Sequence, residues 1–229
     1  MAKEKINEQE KLQQEKVVES ISKFDAFLNK NKKNIIGVLC CILVAGIGIL
    51  AYQHFVRAPK VAEAQAQLYH AEALFQDGEF ELALKGDGNI LGFEQVIEEY
   101  GSAAGEAVYM YAGLCELNLG NYDSALKYLD KYKGTDTILA ARALAAKGDA
   151  FSGLENYEKA AALYEQAASK AENAYTAEYL LKAGSVYEEL GNNAKALEVY
   201  KKIKDFYPMT LQGQTIDKYI SRIENTPAK

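Results

Sequence analysis

The sequence predicts an all-α fold, in which a single apolar helix precedes a series of similar helix pairs. Three observations support this prediction: a helix-favouring composition, an uncharged apolar segment near the N-terminus, and a pattern of small and apolar residues that recurs along the chain. The 229 residues include only 3 Pro and are rich in Ala, Leu, Glu and Lys. These four residues favour helices and Pro interrupts them, so long helices are expected rather than a sheet.

Charge divides the chain into two parts. Residues 1–57 contain nine Lys and Arg against six Asp and Glu, whereas residues 58–229 contain seventeen against twenty-six. The larger part is therefore acidic. Nucleic-acid phosphates bind clustered Lys and Arg, so a nucleic-acid partner is not expected.

The apolar segment comprises residues 35–52, which are 18 residues without a charge. This length is close to the minimum for crossing a bilayer, and residues 53–55 extend the segment into the interface. A cleaved signal peptide fits poorly, because 34 residues precede the segment and no small-residue cleavage site follows it. Cys40 follows no lipoprotein-type sequence, and apolarity on all sides argues against a core helix. We therefore expect an uncleaved transmembrane anchor at 35–55.

Cationic residues flank the segment unequally. Lys30, Lys32 and Lys33 directly precede it, while Arg57 and Lys60 follow at a greater distance. The more cationic flank stays in the cytoplasm. We expect residues 1–34 to be cytoplasmic and residues 56–229 to be periplasmic, at a bacterial inner membrane.

Residues 3–33 are highly charged but carry apolar residues at helical spacing: Val17, Ile21, Phe24 and Leu28. Two interpretations remain open. The segment is either an amphipathic helix that contacts the membrane surface or a partner, or a solvated tail.

A repeated pattern occupies most of residues 64–210. A Gly recurs 35 and 36 residues apart, an Ala follows each Gly by 12 residues, and a Leu lies between them. The three sets are Gly113, Leu119 and Ala125; Gly148, Leu154 and Ala160; and Gly184, Leu190 and Ala196. Small residues at these positions allow two helices to approach closely, and the sequence around each Leu is typical of a helix end and a short turn.

This pattern resembles the tetratricopeptide repeat, a pair of antiparallel helices of about 34 residues. The resemblance implies repeats at 64–103, 106–139, 141–174 and 177–210, followed by a capping helix at 211–225 with a polar outer face. The first repeat is about six residues too long. We assign the surplus to a loop, Gly86–Gly92, that interrupts its second helix.

That loop is the one segment that suggests ligand chemistry. Asp87, Asn89, Gly92 and Glu98 match positions 1, 3, 6 and 12 of a calcium-binding loop. Position 5 is Leu91, which has no side-chain oxygen, so a Gly-rich turn is favoured. A partner-contact loop is the other alternative.

No catalytic, cofactor or metal motif is present in the sequence. His54 and His70 have no companion ligands, and Cys115 is expected to be a small buried residue rather than a nucleophile. The adjacent pairs Glu98–Glu99 and Glu188–Glu189 are expected to be solvated. We expect no enzyme activity and no cofactor.

The resemblance implies a partner-binding groove lined by the first helix of each repeat. Its expected residues are Leu68, Glu72, Phe75, Met110, Leu114, Leu117, Ala145, Asp149, Ser152, Leu181, Ser185 and Glu188. The apolar members either contact a partner or pack against neighbouring helices. The Lys, Arg and Asn set that clamps acidic C-terminal peptides is missing, with only Arg142 nearby, so an apolar or basic ligand is expected.

The order of segments is similar to that of the YfgM-type ancillary subunits of the SecYEG translocon. This resemblance implies that the anchor contacts the channel and that the repeats contact emerging chains or periplasmic chaperones. The alternative is an envelope-assembly or division scaffold that binds one dedicated protein partner.

Overall fold

The structure is a computed structural model, and it describes residues 22, 24, 30–34, 36–170, 172 and 174–225. Most of the N-terminal segment, including Val17, Ile21 and Leu28, lies outside the described residues. The chain divides into two compact units, Met1–Pro59 and Lys60–Lys229. The described residues form helices and turns with no strand, so the all-α prediction is confirmed.

The first unit contains the apolar segment. Within the described part of the chain, one helix, which begins at Lys30, is long and apolar enough to span a membrane, and none of its apolar window is buried. A π-helical turn, Gln53–Arg57, follows the apolar residues.

The second unit is built from short helices packed in pairs. Four pairs or part-pairs follow one another in chain order, and each contacts the next. The helices are α1 (Ala58–Gln76), α2 (Phe80–Lys85), α3 (Phe93–Tyr100), α4 (Ala107–Asn118), α5 (Tyr122–Lys131), α6 (Thr137–Gly153), α7 (Tyr157–Lys170), α8 (Thr176–Glu189), α9 (Asn193–Phe206), α10 (Leu211–Thr215) and α11 (Asp217–Glu224).

Glycine determines how closely the two helices of a pair approach. A Cβ on Gly113 in α4 would lie 2.7 Å from Leu129 Cγ in α5, and one on Gly148 in α6 would lie 2.7 Å from Tyr164 Cε1 in α7. Gly184 in α8 meets the Tyr200 ring of α9 in the same way. A large buried side chain thus occupies the space that a Cβ would need.

The turns between α6 and α7 and between α8 and α9 each contain one residue in the left-handed conformation and one backbone hydrogen bond. The amide N–H of Asn192 donates to the carbonyl of Tyr187 at 2.8 Å, and that of Asn156 donates to Phe151 at 2.8 Å. The left-handed residue is Gly191 (φ +69°) between α8 and α9, but it is Glu155 (φ +57°) between α6 and α7. A residue with a side chain in this conformation costs about 1–2 kcal/mol, so the conformation of Glu155 lowers the free energy of unfolding.

The loop between α2 and α3 is a hydrogen-bonded turn. Asp87 Oδ1 accepts the amide N–H groups of Asn89 (2.9 Å) and Ile90 (2.8 Å), and these bonds lower the pKa of the carboxyl group. Gln95 Oε1 accepts the N–H of Gly92 at the start of α3. A side-chain oxygen that accepts backbone N–H groups two and three residues on is typical of Asp in a turn, which supports the turn interpretation of this loop.

The C-terminal segment forms two short helices, α10 and α11, where one capping helix was expected. Thr210 caps α10 by accepting the N–H of Gly213 at 3.0 Å. Ile216, Ile220 and Ile223 are buried against α8 and α9, while Asp217 is exposed. This segment therefore covers the apolar end of the last repeat and leaves charged residues outside.

We predict that Glu155→Gly raises the free energy of unfolding by about 1 kcal/mol, because glycine adopts the left-handed conformation without a steric cost. The matched reverse change, Gly191→Glu, should lower it by a similar amount, since a Cβ there meets no atom within 4 Å and only the backbone conformation opposes it. Urea unfolding of the full-length protein in mild detergent measures both. Equal stability of the two variants and the parent would contradict a steric cost at these two positions.

Candidate partner-binding groove

An open cleft of about 570 Å³ lies between the first helices of three successive repeats, α4, α6 and α8. We call this cleft the groove. It is lined by Leu114, Leu117, Asn118, Ile138, Leu139, Arg142, Ala145, Ala146, Asp149, Tyr175, Glu178, Tyr179 and Lys182. Apolar and aromatic side chains form most of its walls, and a few charged groups lie among them.

Four of the residues expected from the sequence line the groove: Leu114, Leu117, Ala145 and Asp149. They come from α4 and α6, in the middle of the repeat array. Their side chains range from buried (Leu114, 8% exposed) to half-buried.

The remaining expected residues lie elsewhere in the structure. Leu68 and Met110 are buried in the core, so neither offers a surface to a partner. Phe75 is half-buried and makes edge contacts with Phe80 and Tyr111. Other expected residues outside the groove keep some exposure: Glu72, Ser152, Leu181, Ser185 and Glu188.

Asp149 accepts hydrogen bonds from two neighbouring helices. Its Oδ1 accepts the Tyr164 hydroxyl of α7 at 2.7 Å, and its carboxylate accepts Lys182 Nζ of α8 at 2.7 and 2.9 Å. One carboxylate thus joins the second helix of its own repeat to the first helix of the next.

Glu188 repeats this arrangement one repeat later. It accepts the Tyr200 hydroxyl of α9 at 2.6 Å and the Arg222 guanidinium of α11 at 2.6 Å. The expectation that Glu188 is solvated is wrong, because its side chain is only 20% exposed and bonded on two sides. The hydrogen bonds of Asp149 and Glu188 together connect α6, α7, α8, α9 and α11.

Arg142 is the cation of the groove that has no ion pair with any residue that the structure describes. It is exposed in α6, near Tyr111 and Tyr179. Burial raises the pKa of both tyrosines, and the positive charge of Arg142 partly opposes this rise. The groove therefore presents a guanidinium whose charge acts on a tyrosine of the same wall, Tyr179.

Several residues that line the groove were not expected from the sequence, although helical spacing points to three of them. Ile138, Arg142 and Glu178 lie seven residues before Ala145, Asp149 and Ser185, which is about two helical turns. Extending the expected inner face by two turns toward the N-terminus of each first helix finds all three. Tyr175 lies just before α8 and follows no such spacing.

The described residues offer little for catalysis. They contain no cluster of three or more His, Cys, Asp or Glu side chains that would hold a metal ion. Burial raises the pKa of the Cys115 thiol to about 12, with the neighbouring charge of Glu116 adding to the rise. A thiol in this state is protonated at neutral pH and is a poor nucleophile.

The comparisons with known proteins agree with this geometry. Residues 107–134 and 145–208 match family models of the tetratricopeptide repeat. These segments are tetratricopeptide repeats. Repeats of this class form protein-binding modules that are generally non-catalytic. A search of curated proteins gave no match.

Among solved structures, the chain is similar to the crystal structure of MamA protein, with 18% sequence identity and a TM-score of 0.53. The similarity covers 70% of this chain and 87% of the MamA chain. At this identity the likeness concerns the fold, and it agrees with a repeat array that occupies most of the second unit.

We predict that Asp149→Ala lowers the free energy of unfolding by about 1–2 kcal/mol, because the Tyr164 hydroxyl and the Lys182 ammonium both lose their acceptor. The control is Asp130→Ala, since Asp130 also pairs with a lysine, Lys147 (2.7 Å), but is 70% exposed. The control should cost less than about 0.5 kcal/mol. Urea unfolding of the full-length protein measures both, and equal losses would contradict a role for Asp149 in joining the repeats.

Proposed function

We propose that this protein is a membrane-anchored binding module of the bacterial inner membrane, an ancillary subunit of the SecYEG translocon that contacts emerging chains or periplasmic chaperones. The observation that carries the proposal is the groove between α4, α6 and α8 on a chain that also contains a membrane-length apolar helix. The resemblance to YfgM-type subunits in segment order supports the translocon partner.

The walls of the groove suit unfolded or partly folded clients. Ile138 and Tyr175 line it and are 47% and 54% exposed, so large apolar surface remains open to solvent there. Chains that emerge from a channel expose apolar side chains before they fold. Burying such side chains against this surface contributes about 25 cal/mol per Å² of apolar area.

An ion pair inside the groove neutralises part of its charge. Lys182 pairs with Asp149, which leaves a mixed surface of apolar side chains and isolated charges. A surface of this kind tolerates many sequences, because few ligand groups have to match a fixed partner. This property favours a helper of many clients over an adaptor for one protein.

Site-specific photocrosslinking of the full-length protein in its native membranes tests the proposal. The crosslinker replaces Ile138 in the groove and, as a matched control, Lys127 on the exposed side of α5. We expect the variant at position 138 to crosslink secretory chains and periplasmic chaperones, and the control to give neither. A third variant carrying the crosslinker at Ile42, in the apolar helix, should crosslink channel subunits.

Other outcomes distinguish the alternatives. A single envelope protein crosslinked at position 138, with no channel subunit at position 42, would replace the translocon helper with a dedicated scaffold or adaptor. Equal crosslinking at positions 138 and 127 would contradict the groove as the binding surface.

A further inference from the structure

A second cleft, of about 630 Å³, lies between α7 and α9 and is also lined by the N-terminal half of α8. We call it the outer cleft. Leu180, Val199 and Phe206 are among its apolar lining residues. None of its lining residues lines the groove, so the two surfaces are available independently.

The outer cleft is lined by one anion and one cation, and both are bonded within the chain. Lys202 Nζ pairs with Glu198 at 2.8 Å, and Glu165 accepts a hydrogen bond from the Tyr187 hydroxyl. A charged ligand would have to displace one of these bonds. The outer cleft therefore suits an apolar side chain better than a charged one.

Directly beside the outer cleft, the chain makes a tight turn. It begins at Tyr207, which lines the cleft, and its carbonyl accepts both the amide N–H of Thr210 at 3.1 Å and the Thr210 hydroxyl at 2.7 Å. Pro208 restricts the backbone further. Met209 occupies the end of this turn and is 88% exposed. Gly and small polar residues are usual in such turns, so a large apolar side chain here needs another explanation.

Two more large apolar side chains are exposed next to Met209. Phe206 is 74% exposed and Leu211 is 73% exposed. We call Phe206, Met209 and Leu211 the tip. The tip is not needed to close the repeat array, because α11 already covers the end of the last repeat. Because hydrogen bonds and Pro208 hold the turn, burying the tip against a partner would cost little conformational entropy.

The tip and the outer cleft lie side by side and share Phe206. An apolar client segment would use the outer cleft alone, and a lipid surface would use the tip alone. A second copy of the chain uses both, because in a two-fold interface each copy supplies the projection that fills the recess of the other. The pairing of a projection with a recess therefore favours a second copy.

The charges around the tip also disfavour a lipid surface. Anionic lipids attract clusters of unpaired Lys and Arg. Near the tip, Lys204 Nζ pairs with Asp217 at 2.8 Å and Lys201 Nζ pairs with Glu224 at 3.5 Å. Residues 58–229 are acidic as a whole, with seventeen Lys and Arg against twenty-six Asp and Glu.

We propose that two copies of this chain form a two-fold dimer, in which Met209 of each copy enters the outer cleft of the other. Both outer clefts are then filled, so the assembly closes at two copies. The groove stays open in each copy, and the dimer presents two grooves to the proteins that it binds. This inference goes beyond the proposed function and holds whichever protein the groove binds.

Analytical ultracentrifugation of the full-length protein in mild detergent, over a range of protein concentrations, tests the dimer. Three side chains and one cleft form an interface at the small end of the range for specific pairs, so a Kd on the order of micromolar is expected. Met209→Asp should raise this Kd about tenfold or more, because it places a charge in an apolar cleft. Asp is common in turns, so the variant should unfold in urea at the same concentration as the parent.

The matched control is Tyr69→Asp, since Tyr69 is a similarly exposed apolar residue (71%) that belongs to α1 and lies outside the outer cleft. This control should leave the Kd of the dimer unchanged. It also shows whether any exposed apolar side chain promotes association.

Crosslinking with a short bismaleimide identifies the contact. Cys40 and Cys41 are replaced by Ala, and Cys115 is buried. One copy carries Met209→Cys and the other carries Ser169→Cys, in the outer cleft, each with its own affinity tag. We expect a crosslink between the two copies, and none when Lys127→Cys, on the exposed side of α5, replaces Ser169→Cys.

Three results would overturn the proposal. The first is a single chain at every concentration. The second is a dimer whose Kd is the same with Met209→Asp, which would place the contact elsewhere, for example in the apolar helix. The third is crosslinking of position 209 to position 209 of the other copy but not to position 169, which would show that the two tips meet each other and leave the outer clefts empty.

Discussion

Close contact between the two helices of each repeat is the constraint on which the second unit depends. Gly148 leaves no Cβ in the space that the Tyr164 ring occupies, and Tyr164 is 3% exposed. The same relation holds between Gly184 and Tyr200. Burying an aromatic ring at each of these contacts stabilises the pair, since helices of this length are marginal alone.

The hydroxyls of these tyrosines extend the contact from one repeat to the next. Tyr164 reaches Asp149, which holds Lys182 of α8, and Tyr200 reaches Glu188, which holds Arg222 of α11. The tyrosine ring therefore packs between the two helices of one repeat. Its hydroxyl group helps to align the helix that follows that repeat. Because α6 and α8 form the walls of the groove, the packing of the core and the geometry of the groove share the same residues.

The sequence predicted the helix pairs because their requirements are local. Gly, Leu and Ala at fixed spacing indicate a close helix contact and a turn, and the interrupted second helix of the first repeat was visible as extra Gly and Asp residues. The ties between repeats were not predicted. Asp149 and Lys182 are 33 residues apart, and the packing of one pair on the next brings them together.

The groove was predicted in part for the same reason. Leu114, Leu117 and Asp149 follow the helical period, so their common face could be inferred. Leu68 and Met110 share that period but are covered by neighbouring helices, which a single-helix pattern does not reveal. The contribution of Tyr175, from the segment that precedes α8, depends on the path of a connection that has no periodicity.

The most direct test of the central constraint is the stability of Gly148→Ala. In an ordinary helix this change stabilises by about 1 kcal/mol, because alanine is the better helix former. Here the added Cβ meets the buried Tyr164 ring, so urea unfolding of the full-length protein should show a loss of about 1–3 kcal/mol. A gain in stability would contradict the close contact between α6 and α7, and with it the alignment of the groove.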